Sequence, residues 1–139
     1  MIIVDATGLV LGRLASVAAK SLLAGEEIKI VNAEKAIVTG RRESIYSEYG
    51  HARARGTREN GPYFPRRPEM ILKRTVRGML PYKLKRGRDA MSMLRVYIGV
   101  PRELSGMQFE QPEGAKMRQR STINFVELGE VSKRLGAHF

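Results

Sequence analysis

The first thirty-one residues constrain the fold more than any other part of the chain. Ile2-Ile3-Val4 is a short, wholly apolar, β-branched run of the kind found in strands covered on both faces. From Leu11 onward the apolar residues Leu11, Leu14, Ala15, Ala18 and Leu22 fall on one side, with Arg13, Ser16 and Lys20 opposite, which predicts an amphipathic helix. Gly25 follows Ala24 where a helix needs a left-handed terminating residue, and Ile28 to Val31 predicts a second strand. Strand, helix and strand in this order force a parallel pair joined by a right-handed crossover. The class is therefore α/β. Ala36 to Thr39, reached through Asn32-Ala33-Glu34-Lys35, predicts a third strand, and Arg95 to Gly99 a fourth.

Between the third and fourth strands the pattern is mostly helical. Arg41 to Arg55 predicts a helix with Ile45, Tyr49 and Ala52 on one face. Pro68 sits where proline favours a helix start, and Met70 to Leu80 then places Leu72, Val76 and Met79 inward. Gly78 and Pro81 stop that helix. Tyr82 to Arg88 reads as a basic loop, with Asp89 capping a short helix through Leu94. After Pro101 the chain is polar and irregular to about Thr122, and a last helix turns Leu128, Val131 and Leu135 inward before Gly136.

Charge separates these regions. The chain has 139 residues and a net charge of +11, from 25 Lys plus Arg against 14 Asp plus Glu. A length of this order fits one domain. Residues 1–40 hold four bases and four acids, and residues 89–139 hold seven and six. Residues 41–88 hold fourteen bases and four acids, so nearly all of the excess lies there. The expected organisation is one domain of three parts: a neutral α/β core (1–40 and 89–100), a basic segment (41–88), and a C-terminal extension and helix (101–139). Such an excess repels itself unless a polyanion lies against it. Eleven of the fourteen bases are Arg, which grips phosphate bidentately and stacks on bases, and five of the nine aromatics accompany them. Arg and aromatic planes together suit RNA, whose loops and bulges offer unpaired bases.

The residues expected to contact RNA are Arg41, Arg42, Arg53, Arg55, Arg58, Tyr63, Arg66, Arg67, Lys73, Arg74, Arg77, Lys83, Lys85, Arg86 and Arg88 of the basic segment, with Arg13 and Lys20 on the first helix. Lys116, Arg118 and Arg120 form a weaker cluster, because alternate residues share one side of an extended chain. Arg53 to Pro68 is too short of apolar residues to fold by burial, and its order is expected to come from the partner.

Other chemistries find little support. With no cysteine there is no disulfide, thiolate metal site or cysteine nucleophile. His51 and His138 stand far apart without a carboxylate motif, so neither a metal site nor a histidine base is expected. Gly8 and Gly12 flank a turn before the first helix, yet they fit neither a dinucleotide fingerprint nor a phosphate loop with its Lys-Ser/Thr pair. Neither cofactor nor small-molecule substrate is expected. Leu9 to Gly12 and Leu14 to Ala19 are cut by Arg13 and Lys20, so no membrane span is expected either, and without a basic n-region before the first strand a cytoplasmic location is the default expectation.

Several motifs in order resemble a known family. Val4-Asp5-Ala6, Leu11-Gly12-Arg13-Leu14-Ala15-Ser16, Val31-Asn32-Ala33-Glu34 and Thr39-Gly40 resemble the opening of the universal large-subunit ribosomal protein L-thirteen family, archaeal in type. Val76-Arg77-Gly78-Met79-Leu80-Pro81, Arg86-Gly87-Arg88 and Val96-Tyr97-Ile98-Gly99 look like its signature region. The resemblance implies a three-layer α/β/α sandwich with a four-stranded parallel sheet in the order 3-2-1-4. It also implies a non-enzymatic role: binding 23S-type rRNA early in large-subunit assembly, as a monomer among neighbouring ribosomal proteins. A nucleotide-dependent α/β enzyme and a general nucleic-acid-compacting protein are the alternatives from other classes.

Overall fold

A computed structural model describes residues 1–117 and 124–139. In chain order the elements are β1 (Ile2–Asp5), α1 (Leu11–Leu23), β2 (Ile28–Val31), β3 (Ile37–Thr39), α2 (Arg42–Ala54), α3 (Pro68–Gly78), α4 (Lys85–Ser92), β4 (Leu94–Val96), β5 (Phe125–Glu127) and α5 (Leu128–Arg134). The expected strand-helix-strand unit is present: β1 pairs parallel with β2, Ile2 opposite Ile28 and Asp5 opposite Val31. Helix α1 buries Leu11, Leu14, Ala15, Ala18, Ala19 and Leu22, and Gly25 beyond it takes a φ of 92°.

The sheet separates two apolar layers. Val4, Ile28 and Ile30 face the main core, where α1 packs against α3 and α4 through Leu14, Leu22, Ile71, Leu72, Val76 and Ala90. Ile3 and Val31 point the other way, onto Leu104, Tyr97 and Phe109. This second layer corrects the expected sandwich. It is built by the irregular segment after β4, and among the described residues no long helix covers that face.

Strand order also departs from expectation. The parallel sheet has three strands in the order β1-β2-β4, with β2 central, and β3 pairs antiparallel with β5 instead. Two local causes are visible. Asn32 adopts a left-handed φ of 56°, and the 3-10 turn Ala33–Lys35 then carries the chain away from the edge of the sheet. Meanwhile Glu110 occupies the free edge of β1, its N–H donating to the Ile3 carbonyl at 2.8 Å and its carbonyl accepting from Asp5 at 3.0 Å. In the expected order β3 would lie beside β2 and β4 beside β1; β4 instead takes the place beside β2, and with Glu110 along β1 neither β1 nor β2 has an edge left for β3. What β3 does touch is the chain just beyond β1, where the Ile37 N–H donates to the Leu9 carbonyl at 2.9 Å. Its partner β5 leads into α5, and Ile45 of α2 packs with Val126 and Val131 in a satellite cluster.

The stretch around α4 differs from its sequence reading as well. Lys85 to Arg88 form the first turn of α4, not a loop, and Asp89 lies inside that helix, which has Leu84 at its N-cap. The fourth strand starts one residue early, at Leu94, and is shorter than expected; Tyr97 still donates to the Ile30 carbonyl at 2.8 Å before Gly99 turns the chain at a φ of 65°. Met79 is exposed, because α3 ends at Gly78 and the following turn swings Leu80 inward in its place. Among the described residues no helix is long and apolar enough to cross a membrane.

Asp5 ties the carboxyl end of β1 to its surroundings. One carboxylate oxygen accepts from the Thr7 N–H at 3.0 Å, the Thr7 hydroxyl at 2.7 Å and the Asn32 amide at 3.0 Å. Partial burial pulls its pKa upward, but the bonds from Thr7 and Asn32 and the charge of Lys35 together outweigh it and hold the group below its ordinary 3.8. A carboxyl lowered in the folded state stabilises the fold above its unfolded pKa, and that contribution fades as pH falls through the lower folded value. Asp5→Asn is therefore expected to cost about 1 to 2 kcal/mol near neutrality, as charged hydrogen bonds partly screened by water do. The gap between wild type and variant should shrink below about pH 4 in thermal melts.

Candidate nucleic-acid interface

Helix α3 decides where the positive charge goes. Burying Ile71, Leu72 and Val76 against α1 leaves Arg74 and Arg77 outside, with Lys73 at the margin. Lys73 and Arg77 stand four residues apart, a like-charge spacing that costs an isolated helix a few tenths of a kcal/mol. Helix α4 buries Gly87 and Ala90 and turns Arg86 and Arg88 to solvent.

Between these helices runs a groove of about 270 Å³ lined by Tyr63, Pro65, Met70, Lys73, Arg74, Arg77 and Met91. It continues past Arg77 and Met91 to Tyr82 and Arg88. Two of its guanidinium groups are already placed on aromatic rings: Arg74 lies 5.0 Å from the Phe64 centroid and Arg77 lies 4.6 Å from that of Tyr82. Phe64 is half-buried and meets Tyr49 edge-on at 6.0 Å, so both rings belong to the flank of the core. Stacking of this kind restrains a long side chain while leaving its N–H groups free to donate.

A second hollow lies on the other side of Tyr63, lined by Arg53, Arg55, Arg58 and Arg66 with Gly56, Thr57 and Pro62. The loop that shapes it carries its own bonds, contrary to the expectation that its order comes wholly from a partner. Thr57 and Gly61 exchange backbone hydrogen bonds at 3.2 and 3.0 Å. The Tyr63 hydroxyl donates to the Arg58 carbonyl, and Arg53 donates to the Phe64 carbonyl at 3.0 Å. Arg53 thus braces the loop as well as charging it.

Few acids answer this charge. Of the fourteen bases between residues 41 and 88, only Arg42 (to Glu130, 3.7 Å) and Arg67 (to Glu69, 2.8 Å) make ion pairs among the described residues. Eight of the other twelve (Arg53, Arg55, Arg58, Arg66, Lys73, Arg74, Arg77 and Arg88) line these adjoining hollows without ion-pair partners among the described residues, an arrangement suited to a polyanion. At the carboxyl ends of β1 and β2, where α/β folds commonly hold a ligand, Thr7 and Asn32 donate to the Asp5 carboxylate and the Gln111 side chain donates to the Thr7 carbonyl at 2.9 Å. Among the described residues, no group of His, Asp or Glu is arranged to hold a metal ion.

Comparison with known proteins places the chain in a family. The family model for ribosomal protein L13 matches residues 1–103. The chain belongs to the ribosomal protein L13 family. Among its relatives, the large ribosomal subunit protein uL13 of Methanococcoides burtonii is 55% identical over 139 residues, covering all of both chains. The protein of the same name from Methanosarcina barkeri is 57% identical over 140 residues, again across both full lengths, and that of Halobacterium salinarum is 44% identical over 99% of this chain and 92% of its own.

Within this L13-family chain the expected contact residues do not all converge. Arg53, Arg55, Arg58, Tyr63, Arg66, Lys73, Arg74, Arg77 and Arg88 line the two adjoining hollows. Lys83, in the turn between α3 and α4, and Lys85 and Arg86, at the start of α4, are exposed. Arg41 and Arg42 stand apart at the start of α2, beside Asn124 and Phe125. Arg13 and Lys20 are exposed on α1 and line neither hollow. Lys116 is paired with Glu113 at 2.7 Å, while Arg118 and Arg120 lie outside the described residues. The groove's apolar lining of Pro65, Met70 and Met91 was not expected from the sequence, because nothing local to a proline or a methionine marks a surface groove. Sequence reasoning also missed Arg134, which stacks on Tyr46 at 5.2 Å, and for which a basic last helical turn was the only signal.

Proposed function

We propose that this chain is a structural, non-enzymatic constituent of the large ribosomal subunit in the cytoplasm, binding 23S-type rRNA through the surface of residues 41–88 and helping early subunit assembly. The observation that carries the rRNA reading is the set of eight bases without ion-pair partners among the described residues that line two adjoining hollows. The name shared by the relatives supports the ribosomal part. In this reading the neutral core of residues 1–40 and 89–100 is the platform, the basic segment is the contact surface, and the extension from residue 101 steadies α2 through β5 and α5. Phosphate contacts supply affinity, and shape with a few stacked bases supplies discrimination. By neutralising phosphates from more than one rRNA segment, the surface lets those segments approach. Neighbouring ribosomal proteins complete the surroundings of a single copy.

The test is cosedimentation. A tagged chain is expected to travel with large subunits and to stay there after a high-salt wash; recovery in the soluble fraction, or on bulk DNA, would argue for a different role. With about eight phosphates contacted, affinity for rRNA fragments should fall with salt at a log-log slope of roughly 5 to 7.

A further inference from the structure

We propose that Tyr63 is a fixed platform on which one unpaired rRNA base stacks, with the flanking phosphates taken up on either side of it. This rests on the rRNA reading above and specifies what that surface recognises. Tyr63 is 62% exposed, yet it is anchored: its hydroxyl donates to the Arg58 carbonyl at 2.6 Å, and its ring edge backs onto Gly61, where a Cβ would come within 3.1 Å of a ring carbon. A large ring held rigid in solvent can take a partner with little loss of conformational freedom.

Among the described residues, Tyr63 is also the one that lines both hollows. On one side stands the arginine cup of Arg55, Arg58 and Arg66; on the other lies an apolar floor of Met70 and Met91 rimmed by Arg74. Phosphate recognition alone needs no apolar floor, whereas a base presents a flat apolar face beside a charged backbone. In a regular duplex those faces are already stacked, so the occupant is a nucleotide in a loop or bulge. Tyr82 is a poorer platform, since Arg77 already covers its ring at 4.6 Å.

Two short RNA duplexes of one stem sequence test this, the first fully paired and the second carrying a single 2-aminopurine bulge. The full chain is expected to quench the 2-aminopurine and to prefer the bulged duplex by roughly tenfold, the scale of one base-aromatic stack. Tyr63→Leu should lose both the quenching and the preference, and Tyr63→Phe, which keeps the ring, should retain them. A Tyr63→Leu variant, folded by circular dichroism, that keeps the preference overturns the platform, as does a wild type that binds both duplexes equally. A wild-type chain that binds neither duplex nor an rRNA fragment overturns the RNA reading beneath it.

Discussion

Replacing Arg55, Arg58, Arg66 and Arg88 together by glutamate is expected to lower affinity for a large-subunit rRNA fragment by about 10³-fold near 0.1 M salt. All four are exposed, all line the two hollows, and none makes an ion pair among the described residues. Each phosphate left without its cation takes about 0.7 to 0.9 off the log-log salt slope, so four of them flatten it by roughly 3. At about 0.1 M, each unit of slope corresponds to a factor of ten relative to 1 M, which gives the thousandfold estimate. Arg53 and Arg67 are left out for a structural reason: the first holds the Phe64 carbonyl and the second is paired with Glu69. Filter binding across a salt series reads both quantities. Undiminished affinity with an unchanged slope would move the rRNA-binding surface elsewhere on the molecule.

Gly87→Val is expected to destabilise the fold by about 3 kcal/mol, the upper range for an overpacked site, and to lower Tm by roughly 10 °C. Gly87 is buried in α4, and a Cβ there would lie 2.0 Å from the Pro81 carbonyl oxygen, 2.3 Å from its carbon and 2.8 Å from the Tyr82 nitrogen. Those atoms are backbone, so no side chain can swing aside. Relief requires α4 to separate from the turn that follows α3, which would also spread the groove between Arg77, Tyr82 and Arg88. Gly78 provides the contrast: nothing lies within 4 Å of the position its Cβ would take. Gly78→Ala should be neutral or stabilise by up to about 1 kcal/mol, since alanine is the better helix former. Calorimetry on the pair separates a packing requirement from a general dislike of substitution. Equal melting temperatures for Gly87→Val and wild type would show that α4 does not seat on the turn as described.

These two glycines illustrate what was legible and what was not. Gly78 in Arg77-Gly78-Met79 and Gly87 in Arg86-Gly87-Arg88 look alike as sequence, each a glycine between bulky residues after a basic one. Only the approach of a turn to a helix tells them apart. The same holds for the arginines. Their concentration in residues 41–88 is plain from counting, but that Arg42 and Arg67 are paired and Arg53 braces a loop depends on where Glu130, Glu69 and the Phe64 carbonyl come to rest. The groove was hidden for a related reason: Met70 and Met91 are far apart in sequence, and only the packed chain brings both to one groove with Tyr63 and Pro65.

By itself the sequence determined the parallel β1-α1-β2 unit, the faces of α1 and α5, the start of α3 at Pro68 and the location of the charge. Each is written in local periodicity, in a capping residue or in a count, all properties of contiguous residues. Tertiary structure alone decided that β4 pairs with β2, that β3 joins β5, that an irregular segment covers the second face of the sheet, and that Tyr63 stands between two basic hollows. Three-residue strands such as β3, β4 and β5 carry too few side chains to specify a partner. Their pairing is set by which edges remain open once the helices have packed.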